Sequence, residues 1–237
     1  MAQSYFIWNG KDCRSMGVML QGPVPIIRPE ERVQHVEIPG RSGDLTELEE
    51  EQIYNSYIQT VTIQVQGGYR VRDIFNWMKG AGYVTFHGEP DRKQAARIIG
   101  AITLNKHSRN LDWWTGDVQF YCQPLKQLLT EAPVTITSSG SAVVNTGDVD
   151  SLPKITAKAS GTSLSITANG KTLTISGLTS GNEYIIDSEI MEVTNADRSA
   201  LLTKDSLGDF PILKPGSNTI TGRGWSKLVI DRRERFL

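Results

Sequence analysis

The chain is poor in the residues from which most active sites are built. Its only histidines are His35, His87 and His107, and its only cysteines are Cys13 and Cys122, in 237 residues. No histidine has a His or Cys partner at the H-x-x-x-H or C-x-x-C spacing of a metal site. No G-x-S-x-G elbow is present to hold a nucleophile. The expectation is therefore a protein that is not an enzyme, with no catalytic, cofactor-binding or metal-binding residue to nominate. Two cysteines so far apart do not make a disulfide framework. Each falls in a segment that reads as strand, and buried free thiols are the expected state. A surplus of one charge is lacking too: 25 Lys and Arg stand against 26 Asp and Glu, which excludes a global field drawing nucleic acid or an anionic membrane. No apolar run approaches the roughly 20 residues of a membrane helix, and the N-terminus has no basic start followed by an apolar stretch. Synthesis in the cytosol without membrane insertion is the reading. No repeat of fixed period is evident.

What the chain does have is a period of two. Val61, Ile63 and Val65 alternate with Thr60, Thr62 and Gln64. Ile98, Gly100, Ile102 and Leu104 repeat the pattern, as do Trp114, Val118 and Phe120 with one polar break. These read as half-buried antiparallel strands. One helix is predicted at about 69–79, where Val71, Ile74, Phe75 and Met78 share a face and Gly80 stands where a left-handed cap is wanted. Segment 46–57 begins Thr46-x-x-Glu49, a capping-box pattern, but its apolar stripe is partial and an extended loop feeding the next strand is favoured.

Character changes at 123–133, between Pro124 and Pro133. Before it lie the helix and four of the five tryptophans; after it come short strands punctuated by Ser, Thr and Gly. Two domains are expected, 1–128 and 129–237. In the second, Leu164 and Ile166 alternate with polar residues, Asn169-Gly170 turns the chain, and Leu173 and Ile175 alternate again, a strong hairpin signal. Strands are expected at 184–187, 190–194, 218–221 and 225–231, and many short strands at this spacing point to a β-sandwich.

Few segments invite a site. Gly40-Arg41-Ser42-Gly43 lacks the Lys-Ser/Thr end of a phosphate loop and reads as a tight turn after a strand at 33–38, with Pro39 ending the pairing. Asp148 and Asp150, and Asp187, Glu189 and Glu192, are oxygen-rich without the calcium-loop pattern, so solvated turns are the default. Trp113-Trp114 would place one ring inward and one outward, and an outward tryptophan asks for a partner's cover. Arg232 and Arg233 sit in a basic but brief C-terminal stretch. It is too short for a nucleic-acid arm and better suited to pairing with a neighbour's carboxylates, for example the run from Glu47 to Glu51.

Several motifs together resemble a family. Val36-Glu37-Ile38-Pro39-Gly40-Arg41-Ser42-Gly43-Asp44-Leu45 is similar to the strand-and-turn signature of siphophage distal tail (Dit) proteins. Phe6-Ile7-Trp8-Asn9-Gly10-Lys11 with Met16-Gly17-Val18 resembles their first hairpin, and Phe120-Tyr121-Cys122-Gln123-Pro124 the exit from their N-terminal domain. Ile185-Ile186-Asp187 and Phe210-Pro211-Ile212-Leu213-Lys214-Pro215-Gly216-Ser217-Asn218 resemble their C-terminal sandwich. The resemblance implies a mainly β fold: an N-terminal antiparallel, barrel-like sheet with one packed helix, akin to tail-tube subunits, and a C-terminal galectin-like β-sandwich. It implies a structural hub in the virion at the distal end of the tail. A ring, commonly hexameric, would join the tail tube protein to the tail-associated tip protein and to receptor-binding proteins or side fibres, while DNA passes through its lumen without specific binding. Pro39, Gly40, Arg41, Gly43, Asp44, Trp113, Trp114, Arg232 and Arg233 are the residues expected to be structural or to lie at the ring interface. The alternatives are a carbohydrate-binding module, motivated by the sandwich and by aromatics such as Trp225 read as exposed, and a cell-wall hydrolase.

Overall fold

The computed structural model describes residues 4–48, 52–107, 109 and 111–237. It divides into two compact units, Met1–Leu129 (with Leu237) and Thr130–Phe236, each with its own hydrophobic core. The last strand of the first unit runs from Trp113 to Leu128, through Gln123 and Pro124.

The first unit holds β1 (Phe6–Trp8), β2 (Lys11–Asp12), β3 (Val18–Leu20), β4 (Val33–Val36), β5 (Leu45–Leu48), β6 (Tyr57–Gln66), helix α1 (Val71–Trp77), β7 (Ala81–Phe86), β8 (Arg92–Ile99), β9 (Asn105–Lys106) and β10 (Trp113–Leu128). Its main sheet is antiparallel and curled, in the order β2-β1-β7-β8-β10-β6-β3, with β9 also on β10. The long β10 serves two partners: Trp113–Cys122 pair with β6, and Gln119–Leu128 with β8, across a register shift between Cys122 and Lys126. Odd positions of β6 (Val61, Ile63, Val65) and even positions of β10 (Val118, Phe120, Cys122) are buried, as the period of two requires.

The helix is shorter than the sequence predicts. A 3-10 turn, Gly68–Arg70, leads into seven α-helical residues ending at Trp77. Its buried stripe is also rotated: Ile74 and Met78 are buried, but Phe75 is 39% exposed. Trp77 takes the inward place, stacking on Phe6 with ring centroids 5.7 Å apart and donating Nε1–H to the Trp8 carbonyl at 3.3 Å. Phe120 meets Phe6 and Phe86 edge-on. Burying Ile74 and Met78 contributes roughly 3–6 kcal/mol at ~1.5–3 each, an upper bound because unfolded chains already bury some apolar surface.

Cys13 lies in a 3-10 turn, Cys13–Met16, and not in a strand; both cysteines are buried and free. The alternation over 98–104 is not one strand, because Gly100 takes φ 71° and ends β8's pairing. Ile102 and Leu104 still pack on the core from a non-strand segment.

The second unit holds β11 (Val134–Ile136), β12 (Ser141–Asn145), β13 (Lys154–Ala159), β14 (Ser163–Ala168), β15 (Lys171–Ser176), β16 (Glu183–Asp187), β17 (Glu192–Asn195), β18 (Ser206–Gly208), β19 (Gly216–Arg223) and β20 (Trp225–Asp231). They form two five-stranded antiparallel sheets, β11-β20-β13-β16-β17 and β12-β19-β14-β15-β18. Ile155, Ile186, Leu228 and Ile230 of one sheet and Leu164, Ile166, Leu173 and Ile175 of the other share one core, the arrangement of a β-sandwich. The hairpin β14–β15 turns at Asn169-Gly170 with φ 50° and 79°, which a type I′ turn demands.

Candidate assembly interface

The packed and open faces of the first unit's sheet follow from its alternation. Every second residue of β6 and β10 that is not in the core points to the other side. There Ile58, Thr60, Thr62, Gln64 and Gln66 stand opposite Tyr121, Gln119, Asp117, Thr115 and Trp113. Most of these are exposed, with Ile58 at 49% and Tyr121 at 40%. Thr62 Oγ1 donates to Asp117 Oδ1 at 2.7 Å across the pair. On β7 and β8, Tyr83 (48% exposed) and Arg97 continue this face. It mixes apolar rings with hydroxyl and amide groups and carries charge of both signs, the composition of a wet protein interface and not of a polar cleft.

The two tryptophans divide between the faces as expected. Trp114 packs on the core, and its Nε1–H donates to Asp112 Oδ1 at 3.0 Å. Trp113 pairs with Gln66 and lies on the open face, partly covered.

β4 and β5 pair with each other, Val33 opposite Leu48 through Val36 opposite Leu45, and form a ribbon apart from the main sheet. The ribbon's root is tied down: Arg32 N–H donates to Ile53 O and Asn55 N–H to Glu30 O, both at 2.8 Å. Pro39, Gly40, Arg41, Gly43 and Asp44 form its exposed tip. Gly40 and Gly43 take φ 82° and 81°, and Arg41 N–H donates to Ile38 O at 3.1 Å. The segment is thus a turn, and pairing stops at Val36, before Pro39.

The SPP1 Dit protein, described as a paradigm of the hub adsorption apparatus in phages infecting Gram-positive bacteria, matches this structure with a TM-score of 0.80 at 19% identity, over 100% of each chain. The chain has the Dit fold. A baseplate structure of phage p2, in its activated conformation with Sr, matches at a TM-score of 0.46 and 9% identity over 96% of each chain, too slight a likeness to carry weight. No protein-family model and no curated protein matches the sequence.

On this Dit fold the C-terminal arginines have partners inside their own sandwich. Arg233 makes a fork on Asp187, Nη1 to Oδ1 at 2.7 Å and Nη2 to Oδ2 at 2.8 Å, and Nη1 also reaches Glu189 at 3.0 Å. Arg235 binds the other oxygen of Glu189 at 3.1 Å. Arg232 bridges Glu131 (3.1 Å) and the buried Glu234 (2.9 Å). Arg232 and Arg233 are thus engaged within their own unit. Of the acidic run from Glu47 to Glu51, residues 49–51 lie outside the described residues, as does the Glu47 side chain. Burial works against ionisation of Asp187, but the Arg233 hydrogen bonds and charge outweigh it and hold the carboxyl below its ordinary range. Burial, helped by the charge of Glu234, raises Glu131 despite Arg232.

The carboxylates of Asp187 and Glu189 are thus paired with guanidinium groups. Among the described residues no three His, Cys, Asp or Glu side chains converge as a metal site needs. Burial pushes the Cys122 thiol up to about 12 and raises Cys13 as well, so neither is a ready nucleophile at neutral pH. Trp225, the motive for a sugar-binding face, is only 9% exposed and belongs to the sandwich core. No helix of the described residues is long and apolar enough to cross a membrane.

The sequence did not single out Asn218, which joins two of its motifs. Buried at 1% exposure, Asn218 donates Nδ2–H to the carbonyls of Lys214 (2.8 Å) and Gly216 (2.9 Å). Its Oδ1 accepts from Lys214 N–H at 2.8 Å and from Asn169 Nδ2 at 2.6 Å. The Pro-Gly-Ser-Asn element and the Asn-Gly turn are therefore one hydrogen-bonded corner. In the sequence this corner shows only as the last residue of the Phe210–Asn218 motif, with no sign that it meets the Asn-Gly turn.

Proposed function

We propose that this protein is the structural hub of a siphophage tail tip, carried in the virion at the distal end of the tail. Copies of the first unit would close into a ring, hexameric by the resemblance. The ring would join the tail tube protein above to the tail-associated tip protein below, with the sandwich offered to receptor-binding proteins or side fibres. DNA would pass through the lumen, and the role is scaffolding without catalysis. The observation that carries this reading is that the first unit leaves both a sheet face and a two-stranded ribbon open to solvent, on a fold shared end to end with a phage hub protein. A ring is a heterologous interface closed by rotation, so it needs two different surfaces on one subunit; the face and the ribbon supply them. A near-neutral chain also suits a passage for DNA, because a strongly basic wall would hold the phosphates.

Negative-stain electron microscopy of the purified protein, alone and mixed with its tail partners, tests the proposal. Rings with an open centre are expected. Particles that stay single subunits at every concentration and in every mixture would end it.

A further inference from the structure

Asn-Gly occurs twice in the chain, at Asn9-Gly10 and Asn169-Gly170, and both pairs fold the same way. Each is the two-residue turn of a hairpin, β1–β2 in the first unit and β14–β15 in the second. The backbone angles agree, with φ 51° and 77° at the first pair and 50° and 79° at the second, as a type I′ turn requires. All four residues are exposed to solvent. Asn-Gly is also the dipeptide in which a main-chain nitrogen most readily attacks the asparagine side chain, because glycine has no Cβ to hinder the approach. The two sites share sequence, turn and access to water. What differs is the side-chain atom that the fold holds.

Asn9 is held by its oxygen. Tyr83 N–H, on β7, donates to Asn9 Oδ1 at 2.9 Å, and Asn9 N–H donates to Tyr83 O at 2.9 Å. Gly82 makes room for this, since a Cβ there would collide with the Asn9 amide. Among the described residues nothing accepts from Asn9 Nδ2. Asn169 is held by its nitrogen. Its Nδ2 donates to Ile212 O at 2.8 Å and to Asn218 Oδ1 at 2.6 Å, and among the described residues nothing donates to its Oδ1. Neither amide can be turned around: an N–H is met only by oxygen and a carbonyl only by N–H. Asn218 is fixed in the same way. Its Oδ1 also accepts from Lys214 N–H, and its Nδ2 serves the carbonyls of Lys214 and Gly216.

We propose that Asn9-Gly10 is a self-modification site, where the chain deamidates itself with Tyr83 N–H as the oxyanion donor, and that Asn169-Gly170 is the same motif held inert. In the reaction Gly10 N gives its proton to solvent and bonds to Asn9 Cγ, and Oδ1 takes the negative charge. The carbonyl then re-forms as the Cγ–Nδ2 bond breaks, and the nitrogen takes up a proton and leaves as ammonia. Water opens the resulting succinimide at either carbonyl, leaving aspartate or isoaspartate at position 9. The net change is amide plus water to carboxylic acid plus ammonia. A fixed N–H bonds an oxyanion more strongly than the carbonyl it forms from, and so lowers the barrier. At Asn169 no donor waits for the oxyanion, and the leaving nitrogen must first abandon two acceptors. The products differ in fit as well. A carboxylate at position 9 keeps the Tyr83 bond and strengthens it. At position 169 it would set oxygen against Ile212 O and Asn218 Oδ1, at the cost of two hydrogen bonds.

Timed mass spectrometry of the intact protein in warm, mildly alkaline buffer tests this, because trypsin places the two sites in separate peptides, 1–11 and 159–171. Each peptide gains the mass difference between an acid and an amide as its asparagine converts, and enzymatic methylation of isoaspartate gives a second readout. In the folded protein Asn9 should convert about tenfold or more faster than Asn169, the factor expected for one hydrogen bond to a developing charge. In guanidinium-unfolded protein the two rates should come together. Asn9→Asp should keep the native melting midpoint, whereas Asn169→Asp should lower that of the sandwich by several degrees or abolish its folding. Equal rates in the folded protein, faster conversion of Asn169, or an Asn9 that stays intact while the unfolded chain converts would each overturn the proposal. So would a rate ratio that survives unfolding, since neighbouring sequence would then be its cause, or an Asn9→Asp chain as damaged as Asn169→Asp.

Discussion

Asp187 and Arg233 show how a residue pair can set the pH range of a domain without serving a site. Their fork is largely shielded, with side-chain exposures of 10% and 22%, and charge-assisted bonds of this kind contribute roughly 1.5–3 kcal/mol when both partners stay in place. Because the folded carboxyl sits below its ordinary value of 3.8, the unfolded chain takes up protons first as the medium is acidified. The stability owed to the pair is therefore fully present above about pH 4 and is lost as pH falls through the lowered folded value. Glu131 runs the other way: raised above 4.5, it favours the fold below that pH and loses its contribution as pH rises through its own value. Thermal melts of the sandwich unit from pH 7 to pH 2.5 should show a steep acid loss in the native protein and a shallower one in Asp187→Asn, which starts lower at neutral pH. Parallel curves would mean that the fork is not the acid-sensitive contact.

At the scale of elements the helix gives the sharpest test, because sequence and structure differ there by a measurable amount. The alternation of Val71, Ile74, Phe75 and Met78 places four residues on one face, but at ~100° per residue the stripe through Ile74, Trp77 and Met78 is equally continuous. Contacts with β1 decide between them, since Trp77 finds Phe6 and the Trp8 carbonyl there. Ile74→Ala should cost about 2–5 kcal/mol by denaturant titration and Phe75→Ala under about 1 kcal/mol, whereas equal losses would restore the stripe predicted from sequence. The elements that sequence placed best are those whose cause is local. The Asn169-Gly170 hairpin follows from two residues that accept positive φ, and β14 and β15 from the alternation on either side of it. The features it missed have causes that apolar periodicity does not carry. Gly100 ends β8 although its apolar neighbours suggest a longer strand, Cys13 is drawn into a 3-10 turn capped by Asp12, and Glu131 and Asp187, which face Arg232 and Arg233, lie about 100 and 45 residues upstream. The ribbon tip was legible as a turn from its glycines and proline; that no strand of the main sheet pairs with the ribbon is a fact of topology that spacing alone does not reveal.

For the whole molecule, two separate cores imply two separable unfolding events, and assembly should touch them unequally. Phe6, Ile63, Ile74 and Phe120 belong to one core, and Ile155, Ile166, Ile186 and Leu228 to the other. Scanning calorimetry should then resolve two transitions. Ile74→Ala should lower one and Ile166→Ala the other, each by several degrees, given that 1 kcal/mol moves the midpoint of a domain of about 100 residues by roughly 4–8 °C. Association stabilises whatever binds and leaves the rest alone, so its contribution grows with protein concentration. If the first unit makes the ring, the transition sensitive to Ile74→Ala should climb as the protein is concentrated, while the one sensitive to Ile166→Ala stays fixed. Removing the ribbon should abolish that concentration dependence and leave the dilute midpoint nearly unchanged, because its described side chains are not buried in the free chain. The opposite assignment, with the sandwich transition rising on concentration, would make the second unit the assembling one and turn the sheet face and ribbon of the first into surfaces for some other component.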